Sequence, residues 1–223
     1  FAAESVMDEI SEKLGMDPLE FRVKNGSKEG SRRIPGPVLQ RVGNLETLAA
    51  AMDTEHYKTP LEGPNRGRGV ASGFWFNGSG PACATASVNA DGTVSLVEGS
   101  PDIGGTRTTI AMQAAEVLGI PAEDIHPSVV DTDSIGFTVG TGGSRVTFAT
   151  GWAAYIAAED VKTQMIERAA LIWEVDKETI TMKNGVIKSK SDSQLQMTFK
   201  ELAGEMKGSG GNIVGKGTID PQT

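Results

Sequence analysis

The 223-residue sequence contains few of the residues that build disulfides or metal sites. Cys83 is the single cysteine, so no disulfide can form within the chain and no thiolate cluster can hold a metal. His56 and His126 are the only histidines, which are too few for an ordinary histidine metal site. We therefore predict no metal ligand in this chain, and one cysteine fits a reducing compartment.

The sequence also lacks an excess of positive charge and a long apolar run. Its 21 Lys and Arg stand against 29 Asp and Glu, and the net charge of −8 disfavours nucleic acid or an anionic membrane as partner. No apolar run approaches the ~20 residues of a membrane span, and no basic-then-apolar start signals export. We predict a cytoplasmic chain without a nucleic-acid or membrane partner, in which a local positive spot could hold one small anion.

The two ends indicate a section of a longer protein. Phe1 already belongs to an amphipathic pattern and no initiator Met precedes it, whereas "GKGTIDPQT" is typical of a strand followed by further chain. We expect a chain that is truncated at both ends.

Apolar periodicity predicts six helices. Asp17 as cap and Pro18 at the first helical position mark the start of the second helix, and Asn44 is expected to cap the third. The predicted helices cover residues 1–14, 18–25, 45–52 and 106–118, a stretch of about thirty residues that begins near residue 146, and the segment "TFKELAGEM".

Two hairpins are predicted from their turns, Asp91-Gly92 and Asn184-Gly185. Further strands are expected at residues 69–76, at residues 125–130 and in "NIVGKGTI". Two successions of hairpin, helix and strand favour an α+β fold, a two-layer sandwich in which β-hairpins and a mixed sheet carry helices on one face.

Composition divides the chain into two parts. Residues 26–44 are rich in Gly, Ser, Pro and Arg and have no period. We predict a helical entry segment with an irregular connection at residues 1–64, and an α+β portion at residues 65–223.

Two glycine-rich turns share one design. The first glycine turn, "DIGGTRTT" (102–109), and the second glycine turn, "GTGGSRVT" (140–147), each place paired glycines before a hydroxyl residue, an arginine and a helix. The first amides of a helix lack internal partners and carry partial positive charge, and glycines let the backbone approach a ligand. Such turns can hold a phosphate without a metal, although the same pattern also forms an ordinary helix cap.

Side chains in both turns add to this interpretation. The hydroxyls of Thr106 and Ser144 could cap the helices or donate to an anion, and Arg107 and Arg145 supply permanent charge and a planar fork. By contrast, "GGNIVGKG" (210–217) only resembles a P-loop, because Gly217 stands where a Mg²⁺-binding hydroxyl is needed.

The order of several stretches resembles the large subunit of the xanthine dehydrogenase/aldehyde oxidase family, the molybdenum hydroxylases. The resemblance spans nearly the whole chain, with residues 26–64 and 170–205 matching loosely. The stretches that carry it are "FAAESVMDEISEKLGMDPLEFRVKN", "GRGVASGFWFNGSG", "DIGGTRTTIAMQAAEVLGI", "VVDTDSIGFTVGTGGSRVTFATGWA" and "VGKGTID".

The resemblance implies a section of the molybdopterin-binding domain of an oxidoreductase that hydroxylates an aldehyde or N-heterocycle with water as the oxygen source. The cofactor would be molybdenum-molybdopterin, as the mononucleotide or the cytosine dinucleotide, and iron–sulfur and FAD groups would lie on partner domains or subunits. Besides the remainder of the large subunit, a small-molecule substrate would be a partner. The cofactor-binding residues carried over are Gly104, Gly105, Thr106, Arg107, Thr108, Thr141, Gly142, Gly143, Ser144 and Arg145.

The chain departs from the family pattern in two respects. Its first glycine turn is one residue shorter than the family's Gly-Gln-Gly and has no Gln, and Gln113 lies two turns into the following helix. The family's catalytic Glu belongs to a glycine-rich motif that would follow Thr223, so we expect no catalytic residue here and an inactive isolated fragment. Two alternatives stay open: a non-catalytic assembly or binding domain that retains the fold without cofactor, and a generic anion- or nucleotide-binding α+β domain.

Overall fold

A computed structural model describes residues 1–34, 36–75 and 78–220. The chain divides after Phe74 into two units, Phe1–Phe74 and Trp75–Thr223. Among the described residues, no helix has both the length and the apolar character that crossing a membrane requires.

The first unit is helical, and the assignment of residues 1–64 to an entry segment remains a prediction. The Asp17 carboxylate accepts hydrogen bonds from two backbone amides of the following turn, which confirms the predicted cap. The predicted Asn44 cap is wrong, because Asn44 is itself the first helical residue and its side chain donates to the Ser27 carbonyl. The helices are α1 (Ala2–Lys13), α2 (Pro18–Asn25), α3 (Asn44–Met52) and α4 (Glu55–Lys58), of which α4 was not predicted.

The strand predicted over residues 69–76 is also wrong, as far as the structure describes this segment. Residues 69–75 form no strand, and Phe76 lies outside the described residues. The backbone here is held by side chains instead, because the Val70 carbonyl accepts from the buried Arg22 guanidinium and the Ser72 amide donates to Glu4.

The second unit contains two sheets with helices. One sheet has four strands in the order β3-β2-β1-β7, and the other has three in the order β4-β5-β6. In chain order the elements are β1 (Ala82–Val88), β2 (Val94–Glu98), α5 (Thr106–Leu118), β3 (Ile125–Val129), α6 (Thr132–Ile135), α7 (Val146–Trp173), β4 (Ile180–Lys183), β5 (Val186–Ser189), β6 (Gln196–Thr198), α8 (Phe199–Glu205) and β7 (Val214–Ile219).

The predicted α+β fold is confirmed. Both predicted hairpins form, β1 with β2 and β4 with β5, and each is antiparallel. Strands β2 and β3 are parallel and are joined through α5, whereas β1 runs antiparallel to both of its neighbours. Helices α5 and α7 pack against the four-stranded sheet over a core of small and branched apolar side chains, which includes Ala84, Leu96, Ile110, Ala157 and Val161.

Helix α7 lies unusually close to the edge strand β7. A Cβ atom on Gly217 would lie 1.9 Å from the Ala153 carbonyl oxygen, and one on Gly215 would lie 2.1 Å from that of Ala157. Only glycine at both strand positions permits this approach. The same region excludes a P-loop, because Lys216 lies within β7 and is exposed, whereas a P-loop lysine stands at the start of a helix.

Candidate cofactor site

Both glycine turns lie beyond the carboxyl end of a strand. The first connects β2 to α5, and the second follows β3 and α6 and leads into α7. Because β2 and β3 are parallel neighbours, their carboxyl ends lie at the same edge of the sheet. This edge is where open sheets with parallel strands commonly bind ligands.

Each turn contains two consecutive residues with left-handed backbone. In the first turn these are Gly104 (φ +68°) and Gly105 (φ +78°), and in the second they are Gly143 (φ +62°) and Ser144 (φ +57°). A serine rarely adopts this conformation, which costs little only for glycine. The two turns therefore share a backbone design as well as a sequence pattern.

A concavity of about 470 Å³ lies between the two turns. A Cβ atom added to Gly104, Gly105 or Gly142 would have no atom within 4 Å, so these glycines border open space. None of the described residues that line the concavity is acidic. They are Ile103, Gly104, Thr106, Thr141, Gly142, Ser144, Arg145, Val146 and Thr147.

Helix α7 begins with backbone amides for which no acceptor is found among the described residues. The first i to i−4 hydrogen bond of the helix runs from the Ala149 amide to the Arg145 carbonyl oxygen, at 2.7 Å. In the described part of the chain, no acceptor is found for the amides of Val146, Thr147 and Phe148. Of the two roles considered for the Ser144 hydroxyl, capping the helix or donating to an anion, the capping does not occur. These amides carry the partial positive charge of the helix start.

Arg145 is buried beside this helix start, with 2% of its surface exposed. Its guanidinium donates to the carbonyl oxygens of Val139 (2.9 Å), Pro81 (2.9 Å) and Gly80 (3.3 Å), and its Nε has no partner among the described residues. Backbone carbonyl oxygens thus occupy most N–H groups of the Arg145 guanidinium. A ligand would therefore interact with the positive charge of Arg145 rather than accept its hydrogen bonds.

The charge of Arg145 has no counter-ion among the described residues. No carboxylate pairs with Arg145 in the part of the chain that the structure describes. Burial lowers the pKa of its guanidinium, because removing the charged form from water is unfavourable. A buried charge that lacks an opposite charge is costly, so the start of α7 is suited to an external anion.

The first glycine turn has different electrostatics. The Asp102 carboxylate accepts from the Arg107 amide (3.0 Å) and from the Arg107 guanidinium (3.4 Å), so Arg107 is not a free positive charge. Thr106 does not cap α5 either, because its hydroxyl donates to Asp102 (3.4 Å) and accepts from the Ile103 amide (3.3 Å). The bond from the Arg107 amide, aided by the Arg107 charge, lowers the pKa of Asp102 and keeps it ionised.

A buried carboxyl group beneath the first turn was missed by sequence reasoning. Glu98 ends β2 and is 1% exposed, and its Oε2 accepts from the Ser100 amide at 2.5 Å. The Ser100 hydroxyl lies 2.7 Å from that of Thr150 on α7, which links the turn to that helix. The sequence nevertheless indicates this burial, because the alternation of side chains along β2 places Glu98 on the same buried face as Val94 and Leu96.

Glu98→Gln is expected to stabilise the protein at pH 8 by roughly 1 kcal/mol, because it removes a buried charge and keeps an acceptor for Ser100. Burial raises the pKa of Glu98 above its ordinary 4.5, so the unfolded chain loses this proton first. Protonated Glu98 therefore stabilises the folded protein below about pH 4.5. This stabilisation is lost as the pH rises through the pKa that Glu98 has in the folded state. Urea unfolding of both proteins at pH 4 and pH 8 measures this, and an equal pH dependence in the two would contradict it.

A family model for the molybdopterin cofactor-binding domain matches residues 46–223. The chain belongs to this family. It is 31% identical over 219 residues to the xanthine dehydrogenase molybdenum-binding subunit of Escherichia coli O157:H7, which covers 91% of the chain and 29% of that subunit. It is also 31% identical over 176 residues to the aldehyde oxidoreductase of Megalodesulfovibrio gigas, covering 72% of the chain and 19% of that protein.

The solved structure of CO dehydrogenase from Oligotropha carboxidovorans has the same fold. The TM-score is 0.77 at 22% identity, and the match covers 99% of this chain and 32% of that one. The molybdopterin-binding domain described here thus spans less than a third of the length of these three relatives.

Most of the residues predicted to bind the cofactor lie around the concavity between the two glycine turns of this molybdopterin-binding domain. Six of the ten line it, and Gly105, Arg107, Thr108 and Gly143 lie in the same two turns. Gln113 does not line the concavity, and its Nε2 donates to the backbone carbonyl of Thr147, which does. No cluster of His, Cys, Asp and Glu suited to a metal ion is found among the described residues.

Proposed function

We propose that this domain holds the phosphate-bearing part of a molybdenum-molybdopterin cofactor between its two glycine turns. The observation that carries the proposal is the buried charge of Arg145, which no described carboxylate compensates, at a concavity whose described lining residues are not acidic. Family membership supplies the identity of the ligand. The volume alone would not single out this place, because a concavity of about 380 Å³ also lies around Asp91 and Lys200.

The residues present fit such a group. Gly104 and Gly142 present bare backbone to open space, where a cofactor can lie against the chain. The hydroxyls of Thr141, Ser144 and Thr147 line the concavity, and no hydrogen-bond partner is found for them within the described residues. Hydroxyls and helix amides that are free to donate match the acceptor oxygens of a phosphate.

For the whole protein we propose an oxidoreductase that hydroxylates an aldehyde or N-heterocycle with water as the oxygen source. The cofactor would supply the metal centre that accepts the electrons, and this domain would bind and orient it. Iron–sulfur and FAD groups would lie on partner domains or subunits, and the remainder of the large subunit would supply the catalytic Glu. The protein would be cytoplasmic, its cofactor would be the mononucleotide or the cytosine dinucleotide, and the isolated domain would be inactive.

A domain that retains the fold without cofactor is the competing function. It is favoured by Asp102, which occupies an amide of α5 that a ligand would otherwise use. The two functions are separated by measuring molybdenum and the fluorescent oxidation product of the pterin in the full-length protein, purified with its partners. We expect about one equivalent of each, whereas protein without pterin would support the competing function.

Replacement of Arg145 tests whether its charge attracts the ligand. Arg145→Gln keeps N–H donors but removes the charge, and it is expected to weaken binding of inorganic phosphate to the cofactor-free full-length protein about tenfold (~1.4 kcal/mol). Arg145→Lys keeps the charge and should stay within about threefold of wild type. Both lose part of the fork to the Val139 and Pro81 carbonyls, so their melting temperatures should fall alike. Equal phosphate affinities in the two variants, measured by titration calorimetry, would contradict the role of charge.

A further inference from the structure

The two ends of the concavity differ in charge. At the start of α7, the buried Arg145 has no acidic partner among the described residues. At the start of α5, the Asp102 carboxylate pairs with Arg107, and both interact electrostatically with the buried Glu98. The α5 end therefore contributes no net positive charge, whereas the α7 end contributes one.

We propose that Asp102 sets the direction in which the cofactor lies, by excluding its phosphate from the α5 end and leaving the α7 end to receive it. This inference rests on the proposed function. It makes Asp102 a positioning residue, because Asp102 does not itself line the concavity and acts through Thr106, which does.

Thr106 is the group through which Asp102 acts. An ionised carboxylate is only an acceptor, so the Thr106 hydroxyl must direct its proton to Asp102 and present lone pairs elsewhere. One lone pair accepts from the Ile103 amide, and the other is left for a donor in the concavity. These two contacts, at 3.4 and 3.3 Å, are long, so the negative charge of Asp102 adds to the discrimination.

The chemistry of a phosphorylated pterin fits this polarity. Its phosphate is mostly a dianion at neutral pH, and the dianion has only acceptor oxygens, whereas the ring edge carries N–H donors. The phosphate is therefore assigned to the amides of Val146 and Thr147, which bond to no acceptor in the described part of the chain, and the N–H edge is assigned to Thr106.

Asp102→Asn tests the inference in the cofactor-free full-length protein, because it keeps an acceptor for the Arg107 amide and removes the charge. The probes are inorganic phosphate and 6-hydroxymethylpterin, which has no phosphate, each followed by titration calorimetry. We expect phosphate to bind about three- to tenfold more tightly and the pterin to bind more weakly by a similar factor. Loss of a merely structural cap would not strengthen phosphate binding. Asp102→Ser, which also can cap a helix, repeats the test if Asp102→Asn does not fold.

Asp91→Asn is the matched control. Asp91 also accepts from a backbone amide and a threonine hydroxyl, both of Thr93, but it lies at the tip of the β1–β2 hairpin, at the opposite end of β2. Its substitution should change neither affinity by more than about twofold. Unchanged or weaker phosphate binding in Asp102→Asn would overturn the inference. Wild-type protein that binds no phosphate would instead overturn the proposed function, and the inference with it.

Discussion

Gly142→Ala is expected to lower the pterin content of the full-length protein at least tenfold without lowering its melting temperature. Gly142 lines the concavity, its backbone is not left-handed, and a Cβ atom there would have no neighbour within 4 Å. The folded protein can therefore accept the methyl group. Alanine also lowers the conformational entropy of the unfolded chain, which slightly stabilises the folded state. A cofactor lying against this backbone cannot accept the methyl group, because it would have to move away.

Gly140→Ala provides the control for this variant. Gly140 belongs to the same turn, also lacks left-handed backbone and also borders open space, but it does not line the concavity. Its pterin content should stay within about twofold of wild type. If both variants retain full pterin, the second glycine turn does not bind the cofactor. If both lose it together with their melting temperature, the effect is one of folding.

Gly217→Ala is expected to reduce the free energy of unfolding by roughly 3 kcal/mol or more. The added Cβ would lie 1.9 Å from the Ala153 oxygen and 2.7 Å from the Ala157 nitrogen, and both belong to the backbone of α7. Backbone in the middle of a helix cannot rotate away as a side chain can, so the strand and the helix must separate. Urea unfolding of the second unit within the full-length protein measures the change.

Gly204→Ala isolates the steric contribution in this experiment. Gly204 lies in α8, and its Cβ would meet only the Ala90 carbonyl oxygen, at 3.9 Å. Alanine should be neutral or stabilising here, because it has the higher helix propensity. A Gly217→Ala protein as stable as Gly204→Ala would show that α7 and β7 do not pack as described.

Much of the fold could be predicted because local signals agreed with the final contacts. Asp91-Gly92 and Asn184-Gly185 both form hairpin turns, and the start of α5 at Thr106 was also predicted. The failure at residues 69–76 has a physical reason. There the backbone oxygen of Val70 bonds to Arg22, a side chain that is distant in sequence, and no local pattern reports such a partner.

The backbone conformation of the two turns at the candidate site could be predicted from the sequence, but the charge pairing of their arginines could not. Paired glycines before a helix located both turns, because the left-handed backbone is a local requirement. The partners of Arg107 and Arg145 were not predicted, because the turn pattern does not show that Arg107 pairs with Asp102 of its own turn or that the distant Pro81 carbonyl accepts from Arg145. Charge at a site depends on which side chains the fold brings together, and a sequence shows only which side chains exist.

The contact of α7 with β7 has a consequence for cofactor binding. At ~1.5 Å per residue, the 28 residues of α7 form a rod of roughly 42 Å whose first turn faces the concavity. The close packing of this helix on β7 is set by two strand positions without side chains, Gly215 and Gly217. A small displacement at β7 would shift the whole helix, so crowding at this strand, which does not line the concavity, would misalign the helix end that we propose to bind the phosphate.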